Sequence, residues 1–298
     1  MTSPGDDAGT WQRLHEVANR LSVISREHRY DVHCLFAWPD TLPPDRYWIS
    51  PELMTCYGTA VWNELDEVRR LRLSHLESVN FFSLNVHLIR ELIGEVADRI
   101  YTTRFPGLSE FFHDFIAEEN DHAWFFATYC QRYGGKLYQP KVITSGSPGD
   151  RGVLHDLTVF GRILIAEEVC DFFNTVMAED RRLPEICQQI NRVHHQDEAR
   201  HIAFGRQMMR ALCQEAVRAE GPEQLAAVGK YLARYLMVCV SSFYNRDVYR
   251  EAGLPEPARL RARLLEDPVR AEHHRRAIGR SVGFLSRIGV LDPSQVRW

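Results

Sequence analysis

The sequence predicts an all-α protein built around a four-helix bundle. Long stretches of the chain repeat apolar residues at helical spacing, and almost none alternate as strands do. Turn residues stand between these stretches, at Phe105-Pro106-Gly107, at Gly134-Gly135 and in a loop with the sequence SGSPGDRG. Two short-linked helical hairpins joined by one longer connection are the pattern of a four-helix bundle.

The helices are expected in the following order. A first helix is predicted over Trp11–Ser25, and an irregular arm rich in proline and aromatic residues follows it. Ser50-Pro51 has the residues of a helix start. The four core helices are predicted over Ala60–Thr103, Leu108–Arg132, Val153–Asp180 and Pro184–Ala219. A loop at about 136–152 separates the two hairpins.

Further helices are expected after the core. One long helix is predicted over Pro222–Glu251, and shorter basic helices complete the chain. No change in composition demands a second domain. We therefore expect residues 1–298 to form a single helical-bundle domain, with the bundle core at about 60–215 and additional N- and C-terminal helices around it.

The composition is that of an ordinary folded protein, with 45% apolar residues, 26% charged residues and a net charge of -4. This balance gives no reason to expect nucleic acid or a membrane as a partner, and no apolar stretch is long enough to span a bilayer. The first residues lack the pattern of a secretory signal. Seven cysteines without a CxxC pair favour reduced thiols, so we expect a cytoplasmic protein.

The stretch HHQDEARH, which begins at His194, carries three histidines and two acids. Residues three or four apart share a face of a helix. At about 100° per residue, His194, Glu198 and His201 therefore fall on one stripe, whereas His195 and Asp197 point away from it. The spacing selects two imidazoles and one carboxylate as a set of metal ligands.

A second Glu-x-x-His pair, Glu119 and His122, lies on the later helix of the first hairpin. One such pair arises often by chance as solvated surface charges, but two at equivalent places are a much stronger signal. Apolar residues surround both pairs, and charges buried without a metal would be costly. The two pairs therefore favour a metal site inside the bundle.

The geometry of a hairpin predicts two further carboxylates, because partners lie about equally far before and after the turn. Glu198 lies 14 residues after the proline of the second turn, and Glu167 lies 17 before it. Glu119 lies 13 residues after the proline of the first turn, and Glu91 lies 15 before it. At about 1.5 Å per residue, both pairs reach similar heights. We therefore expect Glu91 and Glu167 as bridging or terminal ligands.

Alternatives stay open for both of these ligands. Glu168 is the rival of Glu167, and the first core helix offers Glu95, Glu77 or His87 in place of Glu91. Carboxylates and histidines in this arrangement form the di-iron or di-manganese site of ferritin-like bundles. Hard carboxylates with few imidazoles suit iron or manganese, and no thiolate is present to favour zinc.

Two acids that directly precede predicted ligands are expected to support the site. Asp197 and Glu118 are placed to accept a hydrogen bond from a histidine of the opposing hairpin, which would fix the tautomer of that ring. Arg200 could neutralise part of the local negative charge, or it could face the solvent.

The histidine at 194 is one more than the ordinary ferritin-like site uses. The form His-x-x-x-Glu-x-x-His resembles the p-aminobenzoate N-oxygenase family of arylamine oxygenases, in which the extra histidine is a further ligand of the di-iron centre. The resemblance covers about residues 60–215, and the interval of 31 residues from Glu167 to Glu198 fits the family, whereas that of 28 from Glu91 to Glu119 is shorter than its pattern. The ligands that the resemblance implies are Glu119, His122, Glu167, His194, Glu198 and His201. Among them Glu119, His194 and Glu198 are the expected catalytic residues.

The resemblance implies a non-heme di-iron monooxygenase of secondary metabolism. Such an enzyme uses O2 and an external electron donor to convert a small amine into hydroxylamine, nitroso and nitro products. The amine is expected free or carrier-bound, a redox partner is implied, and we expect a homodimer. Two alternatives stay open: hydroxylation or desaturation of carbon at the same centre, and a metal-storage or non-catalytic ferritin-like bundle. An iron–manganese pair in place of two irons also stays open.

Overall fold

A computed structural model of the protein describes residues 5–139 and 152–296. These residues are mostly helical and contain no strand, which confirms the all-α prediction. None of the helices in these two ranges is long and apolar enough to cross a membrane. The helices are α1 (Gly5–Glu27), α2 (Ala60–Glu64), α3 (Glu67–Ala97), α4 (Ser109–Tyr129), α5 (Val153–Glu179), α6 (Glu185–Ala219), α7 (Pro222–Ser242), α8 (Arg246–Glu251), α9 (Pro257–Glu266) and α10 (Pro268–Arg287).

Helices α3 to α6 form the four-helix core as two antiparallel hairpins. Ser78 of α3 contacts Tyr129 of α4, and one turn later on α3 Phe82 stacks on Phe126, one turn earlier on α4. These contacts show that α3 and α4 run in opposite directions. The short turn at 180–184 joins α5 to α6 in the same way.

Helices α4 and α5 run parallel to each other, which requires a long connection. Phe111 of α4 stacks on Phe204 of α6 with ring centroids 4.0 Å apart, and three turns later His122 meets Asp197. Helix α6 is therefore antiparallel to both α4 and α5. After the end of α4 the chain must return along the bundle to the start of α5, a distance of roughly 40 Å for a helix the length of α5. The predicted crossover fits this need, and its residues 140–151 lie outside the part of the chain that the structure describes.

Two predicted helices are each divided by a capping side chain. The helix predicted over Ala60–Thr103 breaks before α3, where the Asp66 carboxylate accepts a hydrogen bond from the backbone N–H of Arg69 at 2.8 Å. The helix predicted from Pro222 breaks after α7, where the Asn245 side chain caps α8. Both predictions were wrong at these points because a side-chain acceptor stabilises a new helix start within an apolar pattern.

The N-terminal helix and the arm after it cover one side of the core. Helix α1 packs on α6 and α4. Aromatic residues of the arm pack on the core helices: Trp38 meets Trp124 of α4 edge to face, and Trp48 stacks on His75 of α3 with ring centroids 4.0 Å apart. Ser50-Pro51 begins a short 3-10 helix, Pro51–Leu53, and not an α-helix. The arm is therefore packed against the core.

Helices α7 and α10 also pack on α5. Gly161 of α5 lies so close to Leu232 of α7 that a Cβ at this glycine would lie 2.7 Å from the leucine methyl group. A helix surrounded in this way is apolar on nearly all sides, as the sequence of α5 is. The helices outside the bundle therefore seal its core.

Gly229 and Gly279 offer a matched test of the packing of the C-terminal segment. A Cβ at Gly229 of α7 would clash with the carbonyl oxygen of Val290, whereas one at Gly279 of α10 would meet nothing within 4 Å. We expect Gly229→Ala to lower the free energy of unfolding by about 1–3 kcal/mol, through overpacking. Gly279→Ala should instead raise it by about 0.5–1 kcal/mol through helix propensity. Urea unfolding measures both, and equal effects would contradict the close packing.

Glu77 of α3 is expected to make stability depend on pH. It is buried, and accepts hydrogen bonds from the N–H and hydroxyl of Thr55, yet burial raises the pKa of its carboxyl from 4.5 to about 7. Because the folded chain holds the proton more tightly, the stabilisation is complete below about pH 4.5 and is lost as the pH rises through 7. The side chain of Glu77→Gln stays neutral at every pH, so only the wild type loses this stabilisation. The free energy of unfolding of the variant, relative to that of the wild type, should therefore rise by roughly 2–3 kcal/mol from pH 5 to pH 8. Urea unfolding at several pH values checks this, and a difference independent of pH would contradict it.

Candidate metal centre

Four side chains from α4 and α6 meet in the middle of the bundle. Glu119 and His122 come from α4, and Glu198 and His201 come from α6. One possible ligand atom of each lies within 4.8 Å of the others, and the four residues are only 0–3% exposed. Because each helix carries Glu-x-x-His, with both residues on one face, the two antiparallel helices present these faces to each other.

The polar atoms at the centre of this cluster are buried without hydrogen-bond partners. They are both carboxylate oxygens of Glu119 and of Glu198, and Nδ1 of His122 and of His201. His201 Nδ1 lies 2.8 Å from Glu119 Oε1 without hydrogen-bond geometry. Buried polar atoms are ordinarily paired, so a group of unpaired carboxylate oxygens and imidazole nitrogens around one point fits a metal ion.

The outer nitrogen of each histidine contacts a carboxylate on the opposing helix. His122 Nε2 lies 3.1 Å from Asp197 Oδ2, and His201 Nε2 lies 2.9 Å from Glu118 Oε2. An Nε2–H that donates outward leaves the lone pair of Nδ1 directed at the cluster. Asp197 and Glu118 thus make the contacts predicted for them, and these contacts fix the tautomer that a metal requires.

Arg200 and Tyr30 complete the outer layer of the centre. Arg200 is 9% exposed, and its Nη2 donates to Glu118 Oε1 at 2.5 Å and to Asp197 Oδ1 at 2.6 Å. Tyr30 donates its hydroxyl to Asp197 Oδ2 at 2.8 Å. Burial alone would raise the pKa of the Asp197 carboxyl, but His122, Arg200 and Tyr30 together hold it well below its usual range. No pattern in the sequence indicated Tyr30, because it lies in the irregular arm.

The charges inside the cluster shift one another strongly. Burial lowers the pKa of His122, but the carboxylates around it outweigh burial and raise the pKa to about 10. Burial raises the pKa of Glu198, but the neighbouring histidines outweigh this and lower it well below the usual range. A metal ion must displace the protons of both imidazoles to bind, so binding releases protons.

Glu167 and His194 adjoin the four clustered residues. Glu167 comes from α5 and is 6% exposed, and its pKa is raised well above the usual range by burial and by the carboxylates of Glu198 and Glu119. His194 Nε2 lies 2.8 Å from Glu198 Oε1. The structure therefore brings six of the seven predicted ligands together.

The other ring nitrogen of His194 lies against an amide. His194 Nδ1 is 2.5 Å from the side-chain nitrogen of Asn174, whose buried Oδ1 has no hydrogen-bond partner. A rotation of this amide by 180° would exchange the two atoms. Oδ1 would then accept the Nδ1–H of His194 and leave Nε2 for a metal.

The structure places Glu91 outside the cluster. Its side chain is 53% exposed and pairs with Arg162 of α5. The alternatives on α3 are also engaged elsewhere: Glu95 with Arg99, Glu77 with Thr55, and His87 with the carbonyl of Tyr138. Thus α3 brings none of its acidic residues to the centre.

Two residues next to predicted ligands face away from the centre. Glu168, the rival of Glu167, pairs with Arg206 at 2.5 Å and accepts a hydrogen bond from Ser281 of α10 at 2.6 Å. His195 contacts Asp171 at 2.5 Å, and its side chain is 43% exposed. The helical spacing had separated His195 from the ligands in the same way.

A cleft between α3, α5 and α7 leads to the cluster. Its walls are mostly apolar, and include Leu88, Leu92, Val159, Ile163 and Tyr235. Glu119, Glu167 and His194 line its buried end, and the more exposed Glu91, Glu95 and Arg162 lie near its mouth. The cavity volume is about 40 Å³, within a cleft of about 500 Å³ that includes the solvent-facing mouth.

The crossover topology, the two facing Glu-x-x-His pairs and the adjoining glutamate define the class of ferritin-like di-metal carboxylate proteins. A mutant R2-like ligand-binding oxidase with an aerobically reconstituted Mn/Fe cofactor shares this fold, with a TM-score of 0.51 and 14% sequence identity over 94% of both chains. The chain belongs to the P-aminobenzoate N-oxygenase AurF family, whose sequence pattern matches residues 12–289. A search of curated proteins gives no match. The protein is therefore an oxygenase, and the resemblance stated from its sequence is confirmed.

The carboxylates that orient the two histidines should control metal affinity. We expect Asp197→Asn and Glu118→Gln to weaken metal binding by about 10–100-fold, because the single acceptor oxygen of an amide cannot serve both the ring and Arg200. Asp171→Asn is the matched control, since Asp171 contacts His195 outside the cluster. Anaerobic titration with Fe²⁺ measures all three. The interpretation fails if the first two variants bind like the control.

Proposed function

We propose that the protein is a di-iron monooxygenase that transfers oxygen to the nitrogen of a small amine. The observation that carries this proposal is the place of His194. It adds a third imidazole to a centre of two Glu-x-x-His pairs, and its Nε2 contacts Glu198 at 2.8 Å. Membership of the P-aminobenzoate N-oxygenase family supports the same chemistry.

Six residues would bind the two iron ions. They are Glu119, His122, Glu167, His194, Glu198 and His201. When bound, iron supplies the activation of O2. The first oxygenation balances as an amine, O2, two electrons and two protons giving a hydroxylamine and water, with the electrons supplied by an external donor.

The chain's own contribution is to position the amine and exclude water. The cleft leads past apolar walls to the carboxylates of Glu119 and Glu167 and the ring of His194. An amine with an apolar body, such as an aryl ring, would place its nitrogen at this buried end. Because the cavity volume is only about 40 Å³, entry of a ring requires wall side chains to change rotamer.

The cellular setting belongs to the same proposal. All seven cysteines are free and six of them are buried, which supports a reducing compartment, and we place the protein in the cytoplasm. A redox partner would deliver the electrons, and the amine would arrive free or on a carrier. The active form is proposed to be a homodimer.

His194 and its neighbour His195 provide a matched test of this function. We expect His194→Ala to keep most of its iron, because the four clustered ligands remain, but to lose at least about 10-fold in oxygenation of the amine. His195→Ala should behave like the wild type, since His195 contacts Asp171 outside the cluster. Metal content and the products formed from para-substituted anilines, O2 and a reductant measure both effects.

The products decide between this function and the alternatives. Hydroxylamine, nitroso or nitro products support the proposal. Products oxygenated only on carbon would identify a hydroxylase or desaturase, and iron uptake with no product from any substrate would identify a storage protein. Fewer than two metal ions per chain would remove the basis of the proposal.

A further inference from the structure

We propose that Asn85 takes the position at the metal centre that a carboxylate of the first core helix fills in di-metal bundles. The usual pattern is one glutamate from each of two helices and Glu-x-x-His from the other two. In this chain α5 supplies Glu167, and α3 supplies no acid. The inference rests on the metal centre of the proposed function.

The register of α3 against α4 brings Asn85 to the level of the cluster. Phe82 of α3 stacks on Phe126 of α4 with ring centroids 5.2 Å apart. In an antiparallel pair, one turn forward on α3 corresponds to one turn back on α4. Asn85 therefore lies at the height of His122.

The side chain of Asn85 is buried at the inner end of the cleft. Asn85 is 2% exposed, and it lines the cleft together with Glu119, Glu167 and His194. Its Nδ2 donates to the carbonyl oxygen of Phe81 at 2.9 Å, which anchors the amide. With Nδ2 held by α3, Oδ1 is the atom available to the centre, and a carbonyl oxygen is a ligand that hard divalent ions accept.

Glu91 cannot take this position on the same helix. At about 100° per residue, the six residues from Asn85 to Glu91 turn the side chain about 120° away, and they move it about 9 Å along the axis. Glu91 is also paired with Arg162 at the mouth of the cleft. A ligand role for Glu91 would require α3 to rotate and this ion pair to break.

An asparagine in place of a carboxylate at this position changes the charge around the centre. Three carboxylates, those of Glu119, Glu167 and Glu198, face three imidazoles, and a neutral amide stands where a fourth carboxylate would be. The metal position nearest α3 therefore has one negative charge fewer than its neighbour. We expect two unequal metal affinities, with the ion next to Asn85 the weaker.

Asn85→Asp tests the inference, because it adds the missing charge with almost no change in shape. Mn²⁺ is a suitable probe, since free and bound ions are distinguished by electron paramagnetic resonance and O2 is not consumed. We expect the wild type to bind its second Mn²⁺ at least about 10-fold more weakly than its first. Asn85→Asp should tighten the second site at least about 10-fold, and Asn85→Leu should weaken it or abolish it.

Asn80→Asp is the matched control. Asn80 is also buried on α3 and also donates to a backbone carbonyl, that of Phe243, but it lies more than one turn before Asn85 and outside the cleft. Its substitution should leave Mn²⁺ binding unchanged. Thermal unfolding with and without Mn²⁺ gives a second reading, in which Mn²⁺ should stabilise Asn85→Asp more than it stabilises Asn80→Asp.

The outcomes separate this inference from the proposed function. If two Mn²⁺ ions bind, and Asn85→Asp and Asn85→Leu both bind them like the wild type, Asn85 is no ligand while the metal centre stands. If the wild type binds no metal, the proposed function fails and this inference falls with it.

Discussion

The constraint on which the rest of the structure depends is the burial of charge at the centre of the bundle. Glu119 and Glu198 are fully buried, and ions in such a place are tolerated only when they are paired or bind a metal. The imidazoles of His122 and His201 supply part of this compensation. Their outer nitrogens contact the carboxylates of Asp197 and Glu118. Arg200 then joins these two carboxylates, so the positive charge that balances the outer layer is itself buried.

The helices that a simple four-helix bundle lacks are explained by this constraint. On the side of α4 and α6, α1 and the arm bring Ser25 to Arg200 and Tyr30 to Asp197, which keeps water from the outer carboxylates. On the side of α5, Ser281 of α10 donates to Glu168, and together with Arg206 it compensates this buried acid beside Glu167. What remains open is the cleft between α3, α5 and α7. In the described structure, molecules therefore reach the metal centre from this face.

The sequence predicted those features that depend on one helix at a time. The spacing within HHQDEARH placed His194 on the ligand face of the helix and placed His195 and Asp197 away from it. A rotation of about 100° per residue is enough to predict such directions on a single helix. The sequence did not predict which side of α3 faces α4, since counting residues from a turn gives only height. Glu91 was predicted from height alone, and in the structure it pairs with Arg162. Tyr30 had no periodic pattern to reveal it.

Asn85 shows a second limit, which concerns the type of residue and not its position. A search for ligands among acids and histidines passes over an asparagine, although its amide oxygen can occupy the same place as a carboxylate oxygen. The register of Phe82 on Phe126 is what draws attention to it. An amide donates less charge than a carboxylate, so an ion beside it keeps more of its own positive charge and a stronger hold on neutral or anionic ligands from the cleft. His194, on the same inner wall, is likewise a neutral donor when it binds a metal. Asn85 replaces an anionic ligand with a neutral one, and His194 adds a further neutral ligand. Both changes raise the share of neutral ligands at the end of the cleft where an uncharged amine would have to bind.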